Sequence, residues 1–258
     1  MAFLGRGQMD YNELLGENER INIVNDDLRL IENKDSLTFG TDAYLLSAFI
    51  QGKKNAKGVE LGTGSGIVSL LALNRKKCDE VYGIEVQDAI ADIAERNGKL
   101  NFPGNNFKVI NKDLRQVTTK DTEGEVDIVF SNPPYMKSSS GKLNENQCKT
   151  ISRHEMFGDI NDFCACAKRL LKFGGSFYVV YRPDRLADLI FALKSNNLEP
   201  KRLVLVYPNS NTSPSILLIQ AKLGAKSGLT VDKPIYIYKD GTSEYTDQFN
   251  KIYEDNKL

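Results

Sequence analysis

The chain has 258 residues, enough for one large α/β domain, alone or with small appendages, and for a sizeable core. Its 34 basic and 34 acidic residues cancel, so there is no global field to hold nucleic acid nonspecifically, and any RNA or DNA contact must come from a local patch. The polar, acidic first twenty residues and the lack of an apolar run of about 18 residues argue against secretion and membrane spanning, while Cys78, Cys148, Cys164 and Cys166 lack paired metal-type spacing and are expected to be reduced thiols in a cytoplasmic protein with no metal site.

Between residues 19 and 38, the apolar runs Ile21 to Val24 and Leu28 to Ile31 alternate with Asn-Asp-Asp and Asn-Lys-Asp breaks. This predicts short strands joined by tight turns. Phe39-Gly40-Thr41-Asp42 leads into a helix over 43–50, with Thr41 or Asp42 as its N-cap. Strands and helices then alternate at the pace of a parallel sheet. Strands are predicted over 58–61, 80–85, 107–111, 126–131 and 176–181, and helices over 67–75, 88–100, 159–171 and 184–195, with Gly174-Gly175 ending the third helix. Two further strands, 203–207 and 215–221, are joined by a polar loop without a helix and are expected to pair antiparallel at one edge. A strand at 235–239, a turn at Asp240-Gly241 and a terminal helix capped by Thr246 complete the chain.

The expected fold is a Rossmann-like, doubly wound α/β sheet of seven strands, mostly parallel, with an antiparallel edge pair. Residues 1–50 would form an N-terminal extension packing on the core, 51–222 the core, and 223–258 a C-terminal extension of the same domain.

In such a sheet, ligands bind beyond the carboxyl ends of the central strands, and the first strand-to-helix turn carries the glycines. Gly62, Gly64 and Gly66 fit that rule. A turn of this kind is shared by dinucleotide binders and users of S-adenosylmethionine. The spacing here is G-x-G-x-G, with Ile67 where a dinucleotide pattern puts its third glycine. Glu85, about 20 residues further on, ends the second strand, where an acid takes both hydroxyls of a ribose. Asp113 follows the third strand and is offered to an adenine amino group, though Asp also caps helices well. Glu60 is open between a cationic methionine portion and a role in tying up backbone amides.

The fourth strand runs into Asn132-Pro133-Pro134-Tyr135. Two prolines cannot continue a ladder, so the chain must leave the sheet extended and rigid. The Asn132 oxygen and a carbonyl beside Pro133 can then face one pocket, with the Tyr135 ring alongside, an arrangement suited to a planar amino group on a ring. A polar insert follows from Lys137 to Ser152. Between Met136 and Glu155 the cations Lys137, Lys142, Lys149 and Arg153 outnumber Glu145 and Glu155; Lys142, Lys149 and Arg153 are candidate phosphate contacts. His154, the only histidine, serves either these contacts or a structural hydrogen bond.

Together the glycine turn, Glu85, Asp113 and Asn-Pro-Pro-Tyr resemble the class I S-adenosylmethionine-dependent methyltransferases that act on planar amino or amide nitrogens. Phe39-Gly40-Thr41-Asp42 looks like that family's element at the methionine end of the cofactor. Ser152-Arg153-His154-Glu155 looks like a signature of one subgroup, the bacterial enzymes that methylate N6 of an adenine beside the anticodon of a valine tRNA. The resemblance implies S-adenosyl-L-methionine held by Phe39, Gly40, Thr41, Asp42, Glu60, Gly62, Gly64, Gly66, Glu85, Asp113, Leu114 and Asn132. It implies catalysis through Asn132, Pro133 and Tyr135, and substrate contact through Pro134, Lys142, Lys149, Arg153 and His154. The expected partner is RNA, specifically tRNA, with no membrane partner, and the chain acts as a monomer or weak dimer. Protein-glutamine and ribosomal guanine-N2 methyltransferases stay open as alternatives, as do a noncatalytic binding protein and a nicotinamide oxidoreductase. The glutamine enzymes carry a helical N-terminal domain without counterpart here, and the guanine enzymes usually have Phe at the fourth motif position.

Overall fold

Parallel strands covered on both faces read as nearly unbroken apolar runs, and 126–131 is such a run: five of its six residues are buried. The computed structural model describes residues 14–34, 39–133 and 158–254. A hairpin of β1 (Glu19–Ile23) and β2 (Arg29–Asn33) precedes α1 (Thr41–Phe49), β3 (Lys57–Leu61), α2 (Ile67–Asn74), β4 (Glu80–Glu85), α3 (Asp88–Asn101), β5 (Phe107–Asn111) and β6 (Val126–Ser131). Then come α4 (Ile160–Leu170), β7 (Leu171–Tyr181), α5 (Leu186–Ser195), β8 (Leu198–Tyr207), β9 (Ile216–Leu223), β10 (Thr230–Val231), β11 (Ile235–Tyr236) and α6 (Asp247–Glu254). No helix among the described residues is long and apolar enough to cross a membrane.

The main sheet runs β10-β8-β9-β7-β6-β3-β4-β5, with β11 also paired to β8. β9 is antiparallel to both β7 and β8, as the helix-free loop before it predicts. The sheet has nine strands rather than seven. The two additional ones, β10 and β11, are two residues each and pair parallel to β8; β10 is too short to show a period-two pattern, and β11 lies within a segment expected to be a strand outside the core. Of the strand expected over 235–239, only Ile235–Tyr236 joins the sheet. Tyr238 instead bridges to Tyr245 across the Asp240-Gly241 turn, and the Thr246 hydroxyl accepts from the Phe249 amide at 3.1 Å, capping α6 as expected.

Two other expectations are corrected. α1 has Gly40 as its N-cap, with no side-chain cap bond, and Thr41 is already helical; Gly serves as an N-cap nearly as well as Thr, and Asp42 lies in the first turn, where its charge complements the free amides. Gly174-Gly175 does not end a helix. α4 stops at Leu170, and Leu171 is already extended at φ −72°, ψ 140°. Leu171 pairs with Val126 and Ser176 with Ile128, so 172–175 bulge out of the ladder. A Cβ on Gly175 would stand 2.8 Å from the Lys172 carbonyl oxygen.

Two apolar layers cover the sheet. Phe49 of α1, Leu70 and Leu71 of α2 and Phe249 of α6 pack with Phe130 and Tyr178 on one face. On the other, Phe163 and Cys166 of α4 and Leu189 and Leu193 of α5 pack with Val59, Val129 and Phe177. Cys78, Cys164 and Cys166 are free and buried, filling core space. β3 lies between β4 and β6, so the chain order reverses around it. There the crossovers leave on opposite sides and a crevice opens beyond the carboxyl ends.

Candidate active site

β3 ends at Leu61 and the chain turns through Gly62–Gly66. The Gly62 and Thr63 amides both donate to the Ile84 carbonyl of β4 at 2.9 Å, and the Gly66 amide donates to the Thr63 carbonyl at 2.9 Å. Gly62 and Gly64 have φ of +70° and +56°, a region L side chains rarely adopt. A Cβ on Gly64 would meet nothing within 4 Å; it would project into open space, so bare backbone faces the crevice. Gly66 is different. A Cβ there would stand 2.9 Å from the Phe107 ring, and Gly83 and Gly98 are kept small by the same ring, at 2.8 and 2.9 Å. Gly66 therefore serves packing and does not line the crevice.

Glu85 closes β4 and is almost fully buried. Its Oε2 accepts from the Gly64 amide at 3.0 Å, and its Oε1 from the Gln87 amide at 3.0 Å. Asp113 is gripped by Arg115, which donates from Nε at 2.9 Å and from Nη2 at 2.5 Å. That grip holds the Asp113 carboxyl below the usual carboxylate range, charged through the neutral region. At the end of β6 the Ser131 hydroxyl donates to the Leu61 carbonyl at 2.7 Å. This ties the fourth core strand to the first where Asn132 begins and the glycine turn starts.

These elements enclose one cavity of about 250 Å³. Gly62, Gly64, Glu85, Asp113, Leu114 and Asn132, all expected cofactor contacts, line it. Ile84, Val86, Gln87, Lys112 and Phe163 line it too, and sequence reasoning missed them. Phe163 comes from α4, after the polar insert, and looks in sequence like any buried helix residue. Gln87 had a signal, since it lies two residues beyond the acid that ends β4. Lys112 pairs with Asp121 at 3.0 Å.

Other expected contacts lie elsewhere. The Glu60 carboxylate is buried off the cavity; its Oε2 accepts from the Thr63 hydroxyl at 2.7 Å, the Ser69 amide at 3.0 Å and the Ser69 hydroxyl at 2.5 Å. Burial pushes its pKa up to about 7, against the lowering effect of the Ser69 and Thr63 hydrogen bonds. Of the two roles open to it, the geometry displays the tying of a backbone amide. Phe39, Gly40, Thr41 and Asp42 stand at the start of α1, with the Phe39 ring 5.8 Å from that of Tyr44, and none of the four lines the cavity. Pro133 is buried beside Asn132. Pro134, Tyr135, Lys142, Lys149, Arg153 and His154 lie outside the described residues, as does Cys148.

The cradle fits a nucleoside-bearing cofactor in three ways. Open backbone at Gly64 admits close approach, Glu85 sits at a strand end one turn away, and a charged acceptor stands at Asp113. Comparison with known proteins agrees. The family described as "Conserved hypothetical protein 95" matches residues 45–166. The chain is 23% identical over 224 residues to the tRNA1(Val) (adenine(37)-N6)-methyltransferase of Flavobacteriaceae bacterium (strain 3519-10), covering 87% of this chain and 93% of that one. It is 28% identical over 187 residues to the enzyme of the same name from Bacteroides fragilis, covering 72% and 78%. Among solved structures, a predicted O-methyltransferase from Agrobacterium tumefaciens superposes with a TM-score of 0.66 at 20% identity, covering 84% of this chain and 97% of that one. M. jannaschii TYW2 in complex with AdoMet gives 0.55 at 19% identity, covering 80% and 86%. The fold is that of the S-adenosylmethionine-dependent methyltransferases.

Proposed function

We propose that this chain, which has the methyltransferase fold and resembles curated tRNA adenine-N6 methyltransferases over most of its length, is an S-adenosylmethionine-dependent N-methyltransferase acting on N6 of an adenine in the anticodon-loop region of a tRNA. One observation carries the reading: Asn132, the first residue of Asn-Pro-Pro-Tyr, lines the same cavity as Gly62, Gly64 and Glu85. A candidate amine-binding group and a candidate nucleoside cradle sharing one space support the reading.

S-adenosylmethionine supplies an activated methyl group when bound. Gly62 and Gly64 would meet it through backbone, Glu85 would accept from its ribose hydroxyls, and Asp113 with Leu114 would receive its adenine. The acceptor amine's lone pair is delocalised into its ring, which makes it a weak nucleophile. Asn132 and the carbonyl beside Pro133 would accept its two hydrogens and favour a pyramidal nitrogen. No strong base is required, because the nitrogen becomes acidic once alkylated. Positioning contributes most of the acceleration, up to roughly 7–11 kcal/mol in well-aligned cases, and the same oxygens stabilise positive charge growing on nitrogen. A base leaving its stack costs a few kcal/mol, less in a loop than in a duplex. Stacking on Tyr135 would offset that by about 1–3 kcal/mol, and Lys142, Lys149 and Arg153 would hold flanking phosphates.

The test is incubation with methyl-labelled S-adenosylmethionine and bacterial total tRNA, then total ribosomal RNA and total protein, with nucleoside and amino-acid mass analysis. N6-methyladenosine in tRNA is the expected product. Label on guanine N2 or on a glutamine amide would replace the substrate while keeping the site. Absence of label everywhere, with binding of NADH and none of S-adenosylmethionine, would overturn the reading.

A further inference from the structure

The outer edge of β2 is met by two side-chain amides of α3 in place of a strand. Asn101 Oδ1 accepts from the Arg29 amide at 2.9 Å and its Nδ2 donates to the Arg29 carbonyl at 2.7 Å. One turn earlier, Asn97 Oδ1 accepts from the Ile31 amide at 2.6 Å and its Nδ2 donates to the Ile31 carbonyl at 3.0 Å. Four residues along a helix rise about 6 Å and two along a strand about 6.6 Å. The two carboxamides therefore match alternate residues of the strand, each acting as a peptide group would. Arg96 reinforces the dock, donating to the Glu19 carboxylate at 2.5 and 2.7 Å.

Asn97 also does something Asn101 does not. Its Nδ2 donates to the Ser65 carbonyl at 2.9 Å, between Gly64, which lines the cavity, and Gly66, which starts α2. The turn amides donate to β4 or within the turn, Gly62 and Thr63 to Ile84, Gly64 to Glu85 and Gly66 to Thr63, while the Thr63 hydroxyl and the Gly66 carbonyl bond to β3 and α2. Among the described residues, the Ser65 carbonyl is the turn group bonded to Asn97, which also bonds the N-terminal hairpin. Asn97 is fully buried, so water does not replace a bond it loses, and an orphaned amide or carbonyl there is costly.

We propose that Asn97 is a positioning residue for the cofactor turn: bracketed by Ile31 on the hairpin, its amide holds the Ser65 carbonyl and so sets the backbone that Gly64 presents to the cavity. The inference rests on the cofactor assignment above, and it makes the hairpin a clamp on the cofactor site rather than a passive appendage. Asn101 is the comparison, since it shares the hairpin bonds and lacks the bond to Ser65, its Nδ2 donating instead to the Asn97 carbonyl at 2.8 Å.

The experiment compares N97A with N101A in the full chain. Calorimetry should show S-adenosylmethionine binding weakened about 10-fold by N97A, the scale of one lost buried hydrogen bond, and less than about 2-fold by N101A. In tRNA methylation, N97A should raise the donor KM by a similar factor with kcat within about twofold. In the ligand-free protein, hydrogen exchange at the Gly64 and Gly66 amides should speed up in N97A and not in N101A. If N97A fails to fold by circular dichroism, N97S is judged by the same three readouts. A folded variant at position 97 with wild-type affinity and wild-type exchange overturns the proposal, and so does an equal loss in N101A. A wild-type protein that binds no S-adenosylmethionine would overturn the functional reading instead, and the exchange comparison would still decide whether Asn97 holds the turn.

Discussion

The two ends of β6 carry polar groups under different rules. At its amino end, Asp127 is saturated by protein: Lys53 pairs with Oδ1 at 3.0 Å, while Lys172 at 3.1 Å and the Lys57 amide at 3.2 Å reach Oδ2. At its carboxyl end, Asn132 lies on the cavity wall with Glu85 and Asp113, two acids held by neighbours and still facing space. Parallel strands place every carboxyl end on one side, and the reversal around β3 keeps helices from covering it. The same strand thus begins at a carboxylate neutralised by two largely exposed lysines and ends at the candidate site.

The largest effect should come from breaking the carboxyl end. N132A should lower methyl transfer by about 100- to 1000-fold, the scale of losing a preorganised acceptor at a developing charge, while cofactor affinity by calorimetry stays within a few-fold. Equal loss of rate and affinity would contradict the separation of roles. Next, E85A removes the carboxylate beside Gly64 and should weaken S-adenosylmethionine binding by about 10- to 100-fold, with Asn132 untouched. An unchanged Kd would take Glu85 out of the cofactor site.

The amino end should respond in stability alone. Burial raises the Asp127 pKa, but hydrogen bonds from Lys53, the Lys57 amide and Lys172 outweigh it and leave the group lowered. Its contribution is present above the ordinary carboxylate pKa and is lost as pH falls through the folded value. D127N should therefore cost less than about 1 kcal/mol at neutral pH, about 2–4 °C at most in Tm. The gap should close in acid, and S-adenosylmethionine affinity should not move.

Glu60 has the opposite sign. Its folded pKa is raised to about 7, so the native state holds the proton longer, and this contribution is fully present below the unfolded value and lost as pH rises through about 7. The Tm of E60Q relative to the parent should rise from pH 5 to pH 7.5 and then level off. A flat difference would mean that Glu60 is ionised throughout.

Most of the sheet was legible because its strands are long apolar runs between turn residues, and the antiparallel β9 because the loop before it holds no helix. The resemblance read from the motifs agrees with the curated relatives and the structural neighbours. What escaped was set by neighbours distant in sequence. Gly66 reads as a cofactor glycine, yet it is absent from the cavity wall, and both its φ of +88° and the Phe107 ring exclude a side chain there. Gly174-Gly175 reads as a helix stop, yet the pairing of β7 with β6 absorbs it as a bulge. Asn97 and Asn101 read as ordinary polar helix positions until β2 is placed beside them.

By itself, the order of residues determined the alternation of strand and helix, the end of β6 ahead of Asn132-Pro133 and the bare backbone at Gly62 and Gly64, because backbone conformation and apolar periodicity are local properties. The tertiary structure alone decided which acids reach the cavity, that Phe163 walls it, and that Asn97 of α3 bonds both the N-terminal hairpin and the glycine turn. Burial and hydrogen-bond partnership depend on segments far apart in the chain, and only packing brings those together.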